Sequence, residues 1–593
     1  MDIDSSDKPL IVNTDFTVLL ETRSASFIEA RDQIARFLEL RKSPAVFHTY
    51  SINEISLWNG FSVGLDDTTV ITILKKYSKF PVPEVIISYI QDQFRNFGIV
   101  KLEKYDNDTL QIICEDPYII GSLMKTREIG SMAYTENDNY FIPAVLRGIF
   151  KLEMIKLGFP VNDCAGYING GRLSIRINTA ACIPRDYQTA SVNAFFGSAD
   201  EQIGEASLAN SGVQTVHNTP QRGGEGVIVL PCGAGKTIVG MIIMSKLSMK
   251  TLIVTPNIVA LRQWKSELIE KTNLSEEDIG EYSGEEKTIR PVTIATYQIL
   301  IYRRKKNEAF AHLKLFSAEN WGLLIYDEVH LLPAPVFRAI TSIQALRRLG
   351  LTATLVREDN KERDVFALIG PKKFDKPWKE LEKEQFIANA VCFEIRVPVA
   401  QHIMNKYFSS DEKSQFRIAA ENPEKIPIVS RLIDALEGHQ ILIIGQYLDQ
   451  LFEIARTFSL PIITGKTPNL ERQNLYRRFR KGLIKILVVS KVANFAIDLP
   501  DADVAIQISG TFGSRQEEAQ RLGRIIRPKP GLNKAYFFSL VSKNTSEEIF
   551  GHNRKRFLME QGYEYHQIKS NIFDGDTGTL RDFIGLATCA AGT

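Results

Sequence analysis

Apolar residues fall in distinct textures along this chain. Near the start, short apolar runs sit beside helical stretches. Phe16-Thr17-Val18-Leu19-Leu20-Glu21 reads as a strand. Ala25 to Leu40 then reads as a helix, with Phe27, Ile34, Phe37 and Leu38 recurring near a 3.6-residue period. Pro81-Val82-Pro83 opens another helix, with Val85, Ile86, Tyr89 and Ile90 on its apolar side. Across residues 100–180, alternating runs such as Leu110-Gln111-Ile112-Ile113 sit beside two helical stretches, which predicts a small α/β domain. The stretch Gln202–Gly224 is polar and rich in Gly, Ser, Asn and Gln, and predicts a loop.

From Gly226 the texture changes. Short buried-strand runs alternate with helices: Gly226–Leu230, Thr251–Thr255, Val292–Thr296, Leu323–Asp327 and Leu349–Thr352. A second series follows: Ile441–Ile444, Ile462–Ile463, Ile486–Ser490, Val504–Ile508 and Ala535–Phe538. Two successive βα series predict an α/β protein with two open parallel sheets, each flanked by helices. Helical and small α/β accessory domains precede them. The expected boundaries are 1–100 and 101–178 for the accessory domains, 179–375 and 376–545 for the two lobes, and 546–593 for a C-terminal tail. A charge-mixed segment at about 405–430 reads as an insertion in the second lobe.

Composition narrows the class without naming a partner. The 593 residues are 44% hydrophobic and 24% charged, as in a soluble multidomain protein rather than a disordered or fibrous one. No run offers the ~20 apolar residues of a membrane helix, so no membrane association is expected. Met1-Asp2-Ile3-Asp4-Ser5-Ser6-Asp7 is acidic, unlike a secretory signal or an Arg-rich transit peptide. The six cysteines form no CxxC pair, and the eight histidines no HExxH, so neither a disulfide scaffold nor a structural metal is indicated. A cytoplasmic protein is expected. The net charge of +2 hides one local cluster, since Glu471–Lys491 holds Arg472, Arg477, Arg478, Arg480, Lys481, Lys485 and Lys491 against one acid. Phosphate binding and a solvated helix face are equally good readings of that cluster alone.

The chemistry sits at strand ends. Pro231-Cys232-Gly233-Ala234-Gly235-Lys236-Thr237 follows a strand and opens a helix. Glycines there turn backbone N–H groups toward phosphate oxygens, Lys236 reaches the β- and γ-phosphates, and the Thr237 hydroxyl suits Mg²⁺. A strict GxxxxGKT would need Gly at position 230, where this chain has Leu. Leu323-Leu324-Ile325-Tyr326-Asp327-Glu328-Val329-His330 carries two carboxylates out of an apolar strand. Asp327 is the candidate Mg²⁺ residue and Glu328 the candidate base for the attacking water. Gly350-Leu351-Thr352-Ala353-Thr354 is a weak signal alone. In Gln520-Arg521-Leu522-Gly523-Arg524-Ile525-Ile526-Arg527, a helix would put Arg524 and Arg527 on one face, able to reach a triphosphate held by the other lobe.

Together these signals resemble the superfamily 2 helicases, with Asp-Glu-Val-His in the DEAD/DEAH position, and more closely the xeroderma pigmentosum group B (XPB) family. Leu351–Asp359 contains that family's Arg-Glu-Asp element, Arg357, Glu358 and Asp359. Ile369-Gly370-Pro371-Lys372 and Gly513–Gln520 are similar as well, and Lys8–Val12, His48-Thr49-Tyr50, Leu57-Trp58-Asn59 and Val492–Pro500 look like the prokaryotic members. The resemblance implies two RecA-like lobes with ATP between them, 3′→5′ polarity, and work in DNA repair or strand opening. It implies that Arg185 and Gln188 recognise adenine, that Asp498 and Gln520 contact nucleotide, and that His330, Thr352 and Thr354 couple hydrolysis to movement. Arg262, Thr296 and Lys491, with Arg357, Glu358, Asp359, Arg477 and Arg478, are the DNA-contact candidates. The expected partner is forked or single-strand-tailed DNA, bound by a monomer, with a nuclease or repair protein as a candidate associate and the nucleoid as the site in a prokaryote. The alternatives are a duplex translocase that separates no strands, a motor subunit of a restriction-type nuclease, and a non-catalytic scaffold. The intact Lys236, Asp327, Glu328, Arg524 and Arg527 argue against the last. Residues 1 to about 178 hold no nucleotide candidate and are expected to select the DNA structure.

Overall fold

The computed structural model describes residues 8–43, 46–62, 64–106, 108–165, 170–196, 224–231, 233–303, 305, 311–312, 315, 318–332, 347–353, 362–490, 502–510, 518, 521–523, 525–528, 533–568 and 577–590. Cys232, Thr354, Arg357, Glu358, Asp359, Lys491, Asp498, Gln520 and Arg524 lie outside them, as does nearly all of the stretch 202–224. The chain divides into two compact units. The first is Met1–Arg41, Ala45–Leu230 and Gly235–Lys376; the second is Pro377–Thr593 with Lys42–Pro44 and Pro231–Ala234.

Each unit is built on a parallel sheet of seven described strands, as the two βα series predict. In the first, the order is Ile279–Tyr282, Val292–Thr296, Thr251–Thr255, Leu323–Asp327, Arg347–Thr352, Glu225–Val229, Lys372–Asp375. In the second it is Ile462–Ile463, Ile486–Ser490, Ile441–Gly445, Val504–Gln507, Lys534–Ser542, Asn389–Val397, Tyr565–Ile568. The central strands are buried along their whole length, because helices cover both faces of such a sheet. Four strands had no counterpart in the sequence reading: Ile279–Tyr282, Lys372–Asp375, Asn389–Val397 and Tyr565–Ile568. Three of these are edge strands that mix polar and apolar residues, so they lack the apolar run that marks a central strand.

The N-terminal region is mixed rather than helical. Leu10–Val12, Thr17–Glu21, Phe47–Ser51 and Glu39–Lys42 form a four-stranded sheet in that order. The helix expected over 25–40 stops at Ile34, and its last residues join the strand Glu39–Lys42. Phe37 and Leu38 stay buried, so their apolar character reports the core and not the helix. On the helix Glu84–Asn96 the buried stripe is Ile86, Ile90 and Phe94, while Val85 is exposed. A five-stranded sheet of residues 100–163 follows, with its own core of Val100, Leu102, Ile112, Phe150 and Met154.

These N-terminal elements are part of the first unit's packing. Trp58 and Ile155 belong to the same buried cluster as Val227, Leu324, Val365 and Ile369. The Trp58 ring lies 6.1 Å from that of Phe366, and Lys372 N donates to Asn59 Oδ1 at 2.8 Å. Residues 1 to about 178 therefore brace the first lobe, whatever they do to DNA.

The segment expected as a tail instead completes the second unit. Tyr565–Ile568 pairs in parallel with Asn389–Val397, and Leu580 and Ile584 of the helix Thr577–Ala590 enter the second core. Much of the segment 405–430 is likewise integral. It forms the end of the helix Gln401–Phe408, the helix Glu412–Ala420 and the start of Lys425–Ala435, whose Ile428, Val429 and Leu432 are core residues. Lys425, fully buried, donates to both oxygens of Glu547 (3.0 and 2.8 Å) and to Ile508 O at 2.9 Å.

Removing the Trp58 side chain should leave a cavity in the core shared by the N-terminal region and the first lobe. Trp58→Ala is expected to destabilise that unit by about 3–5 kcal/mol, seen as an early melting transition. A melting curve unchanged from wild type would show that the N-terminal region is merely tethered.

Candidate nucleotide site

In the first sheet the strands Leu323–Asp327, Arg347–Thr352 and Glu225–Val229 are adjacent and parallel. Their C-terminal ends therefore share one edge, where α/β sheets place ligands. Glu225–Val229 leads into the glycine loop. Gly233 and Gly235 both adopt left-handed backbone, at φ 81° and 77°. Gly235 is the N-cap of the helix Lys236–Leu247, so the loop turns directly into the helix start, whose dipole favours an anion. A side chain at 235 would strain this left-handed backbone and press its Cβ to 2.5 Å from Gln188 Nε2. Pro231 and Ala234 are buried beside it, and Thr237 is half-buried in the first helical turn.

Gln188 is itself buried, in the helix Asp186–Phe196. Its Oε1 accepts from Arg185 N at 2.9 Å, and the Arg185 guanidinium donates to Tyr187 Oη at 3.2 Å. Both adenine candidates thus sit on one turn against the glycine loop.

Lys236 Nζ reaches back across the loop to Glu328 Oε1 at 3.4 Å and to Leu230 O at 3.5 Å. Glu328 follows the last residue of its strand and has a left-handed backbone, φ 49°, ψ 53°. That conformation costs a non-glycine residue ~1–2 kcal/mol. The bend starts a short 3-10 turn, Val329–Leu331, which contains His330. The buried His330 has its Nδ1 2.6 Å from Thr352 Oγ1 and 3.4 Å from Glu328 Oε2. Lys236, Glu328, His330 and Thr352 form one continuous chain of polar contacts.

Asp327 accepts from Trp264 Nε1 at Oδ2 (3.0 Å) and from Glu328 N at Oδ1 (3.0 Å). Its carbonyl accepts from Tyr297 Oη at 2.9 Å. Burial and the neighbouring Glu328 charge push the Asp327 carboxyl up to about 6, against the opposing pull of Lys236 and Trp264. Burial pushes Glu328 up as well, but the Lys236 and His330 charges outweigh it, and this carboxyl stays below its ordinary value. The two carboxylates are thus driven apart, and the ionised one faces the lysine. Trp264 carried no sequence signal, because one indole in an amphipathic helix reads as core.

Other candidates are placed less favourably. Thr296 is buried, and its hydroxyl caps the turn Tyr297–Leu300 by accepting from Ile299 N. Arg262 is exposed and ion-paired with Glu285 at 2.6 Å. Arg477 and Arg478 are exposed in the last turn of the helix Asn469–Arg480. The chain beyond them runs to the start of the strand Ile441–Gly445, where Ile441 N donates to Lys485 O. Arg477 and Arg478 therefore lie toward the N-terminal end of the second sheet's strands. Arg527 is half-buried, in a bend beyond the short helical turn that holds Arg521 and Leu522. The neighbouring Arg521 is fully buried and donates to Gln507 Oε1, which explains an arginine the sequence reading passed over.

Folded Asp327 holds its proton more tightly than an unfolded aspartate. Its contribution to stability is present at low pH and lost as pH rises from 3.8 to about 6. Asp327→Asn should then stabilise the metal-free protein above pH 6, by ~1–3 kcal/mol, with the gain shrinking toward pH 4. Melting temperatures of both proteins across pH 4–8 check this; a constant offset would contradict it.

Residues 381–579 match the model of the ERCC3/RAD25/XPB C-terminal helicase. Residues 181–357 match the type III restriction enzyme res subunit, and residues 10–138 a helicase conserved C-terminal domain. The chain is 42% identical to the DNA 3′-5′ helicase XPB of Kineococcus radiotolerans, over 96% of this chain and 98% of that protein. It is 44% identical to the DNA 3′-5′ helicase XPB of Mycobacterium tuberculosis, over 94% and 97%. It is 30% identical to the general transcription and DNA repair factor IIH helicase/translocase subunit XPB/SSL2 of Saccharomyces cerevisiae, over 95% and 72%. With nearly complete coverage at that identity, the chain belongs to the XPB helicase family.

Proposed function

We propose that this chain is an ATP-dependent 3′→5′ DNA helicase that works in DNA repair. The observation that carries the reading is the contact chain from Lys236 through Glu328 and His330 to Thr352, at the mouth of a glycine loop. The residues fit a nucleotide with its metal. Two left-handed glycines open the backbone toward an anion. Phosphate oxygens are received by the N–H groups at the start of the helix Lys236–Leu247. Thr237 and Asp327 would hold Mg²⁺, which when bound neutralises charge on the phosphates.

Lys236 then exchanges partners. Leaving Glu328 for the β- and γ-phosphates removes the positive charge that holds Glu328 below its ordinary range. Glu328 becomes a stronger base as ATP is seated, and takes the proton of the attacking water. His330 and Thr352 feel that change directly and pass it to the strand Arg347–Thr352. Arg527, with Arg524, is proposed to stabilise charge on the transferring phosphoryl group; Asp498 and Gln520 are proposed as further nucleotide contacts. Arg185 and Gln188 read adenine. Thr354, Arg357, Glu358, Asp359 and Lys491 are proposed to act on movement and on DNA.

Forked or tailed DNA is the proposed substrate, with a nuclease or repair protein as associate, in the cytoplasm at the nucleoid. Among the described residues no helix is long and apolar enough to cross a membrane. The yeast relative is named a helicase/translocase, so duplex translocation without strand separation is the second reading.

One set of assays on the full chain separates these readings. The unaltered protein should hydrolyse ATP faster with forked DNA and displace the strand of a 3′-tailed duplex but not of a 5′-tailed one. Glu328→Gln should bind ATP and DNA normally, hydrolyse roughly 10²–10⁴-fold more slowly, and displace nothing. Stimulated hydrolysis without displacement on either tail would favour the translocase. Loss of ATP binding in Glu328→Gln would mean the carboxylate roles are misassigned.

A further inference from the structure

Asp327 is held by a side chain that belongs to none of the recognised motifs. Trp264 Nε1 donates to Asp327 Oδ2 at 3.0 Å, and the indole is 2% exposed. Trp264 lies in the second turn of the helix Ile258–Lys271, which Asn257 caps through bonds from Val259 N and Ala260 N, each 3.0 Å. The far edge of its ring rests on the helix Lys236–Leu247 at Gly240. A Cβ there would stand 2.6 Å from the indole Cη2, and Leu351 Cδ1 lies 3.5 Å from the same point. One indole thus lies against the helix that begins at the glycine loop and donates to the carboxylate assigned to Mg²⁺. All of these residues belong to the first unit.

The same helix presents Arg262 to solvent. Two residues on a helix are separated by roughly 200° around its axis, so Arg262 and Trp264 project from opposite sides. Arg262 is 41% exposed in its side chain and carries only an exposed ion pair with Glu285, a contact worth little and readily exchanged.

We propose that Trp264 is a positioning residue: it fixes the Asp327 carboxylate for the divalent metal and ties that carboxylate to the position of the helix Ile258–Lys271. A carboxylate can accept at both oxygens and still offer lone pairs, so the indole N–H and Glu328 N orient Asp327 without filling it. Groups that orient a metal-binding side chain typically change metal affinity by about 10–100-fold when removed. Any displacement of the helix at its outer, Arg262 face is carried by the rigid indole to the metal carboxylate. The inference rests on the nucleotide-site reading above.

Trp264→Phe keeps an aromatic ring against Gly240 and removes the N–H donor. Full-length protein is used, with a fluorescent ADP analogue as probe. Affinity for the analogue without metal should be unchanged, while the Mg²⁺ concentration for half-maximal tightening should rise roughly tenfold or more. Hydrolysis should show the same rise in Mg²⁺ requirement, relieved by excess metal, together with a weaker response to forked DNA. An unchanged Mg²⁺ requirement and DNA response in the folded variant would overturn the inference. Should the variant fold poorly, the unaltered protein still decides. Its four tryptophans give four indole N–H signals after selective ¹⁵N labelling. The Trp264 signal, assigned by replacing the other three in turn, should shift with Mg²⁺ and ADP together but not with ADP alone. A signal indifferent to metal would refute the proposal. If the unaltered protein binds neither ADP nor ATP, the nucleotide-site reading fails instead, which is a separate result.

Discussion

Everything at this site depends on two adjacent, half-buried carboxylates beside one lysine. Asp327 and Glu328 leave the end of a strand that is buried on both faces, where two negative charges cannot both be held cheaply. Lys236 at 3.4 Å decides which of them stays ionised. That lysine is available only because the strand Glu225–Val229 lies one strand removed in the sheet and its loop turns back at two left-handed glycines. Strand order therefore creates the charge arrangement, and the charge arrangement gives the two acids different tasks.

The bend at Glu328 extends the arrangement. A left-handed glutamate swings the next residues off the strand axis into a single 3-10 turn and delivers His330 to Thr352 at 2.6 Å. Strained backbone of this kind persists where packing over-determines it. Here Val329 and Leu332 are buried on either side of the histidine. Glu328 and the threonine on the neighbouring strand are thereby two contacts apart.

Legibility in the sequence followed physical type. Glycines before a lysine, acids after an apolar strand and a threonine at a strand end are local signals, and they converge at one edge as read. The two parallel sheets were legible because central strands are unbroken apolar runs. Edge strands such as Lys372–Asp375 and Tyr565–Ile568 were not, since one side of each meets solvent or polar neighbours and the run is interrupted. Pattern could not show that the Thr296 hydroxyl also caps a helical turn. Trp264 was invisible for a different reason: its polar atom matters, but the residue counts as apolar in any pattern.

The central claim is that Glu328, His330 and Thr352 act as one unit linking hydrolysis to DNA. The most direct measurement is a double-mutant cycle on the DNA stimulation of ATP hydrolysis, using His330→Ala, Thr352→Val and the pair. If the 2.6 Å contact is the link, each single change should remove most of the stimulation and the double change should do little more, leaving a coupling energy of ~0.5–3 kcal/mol. Losses that simply add in the double variant would show two independent residues and contradict the account.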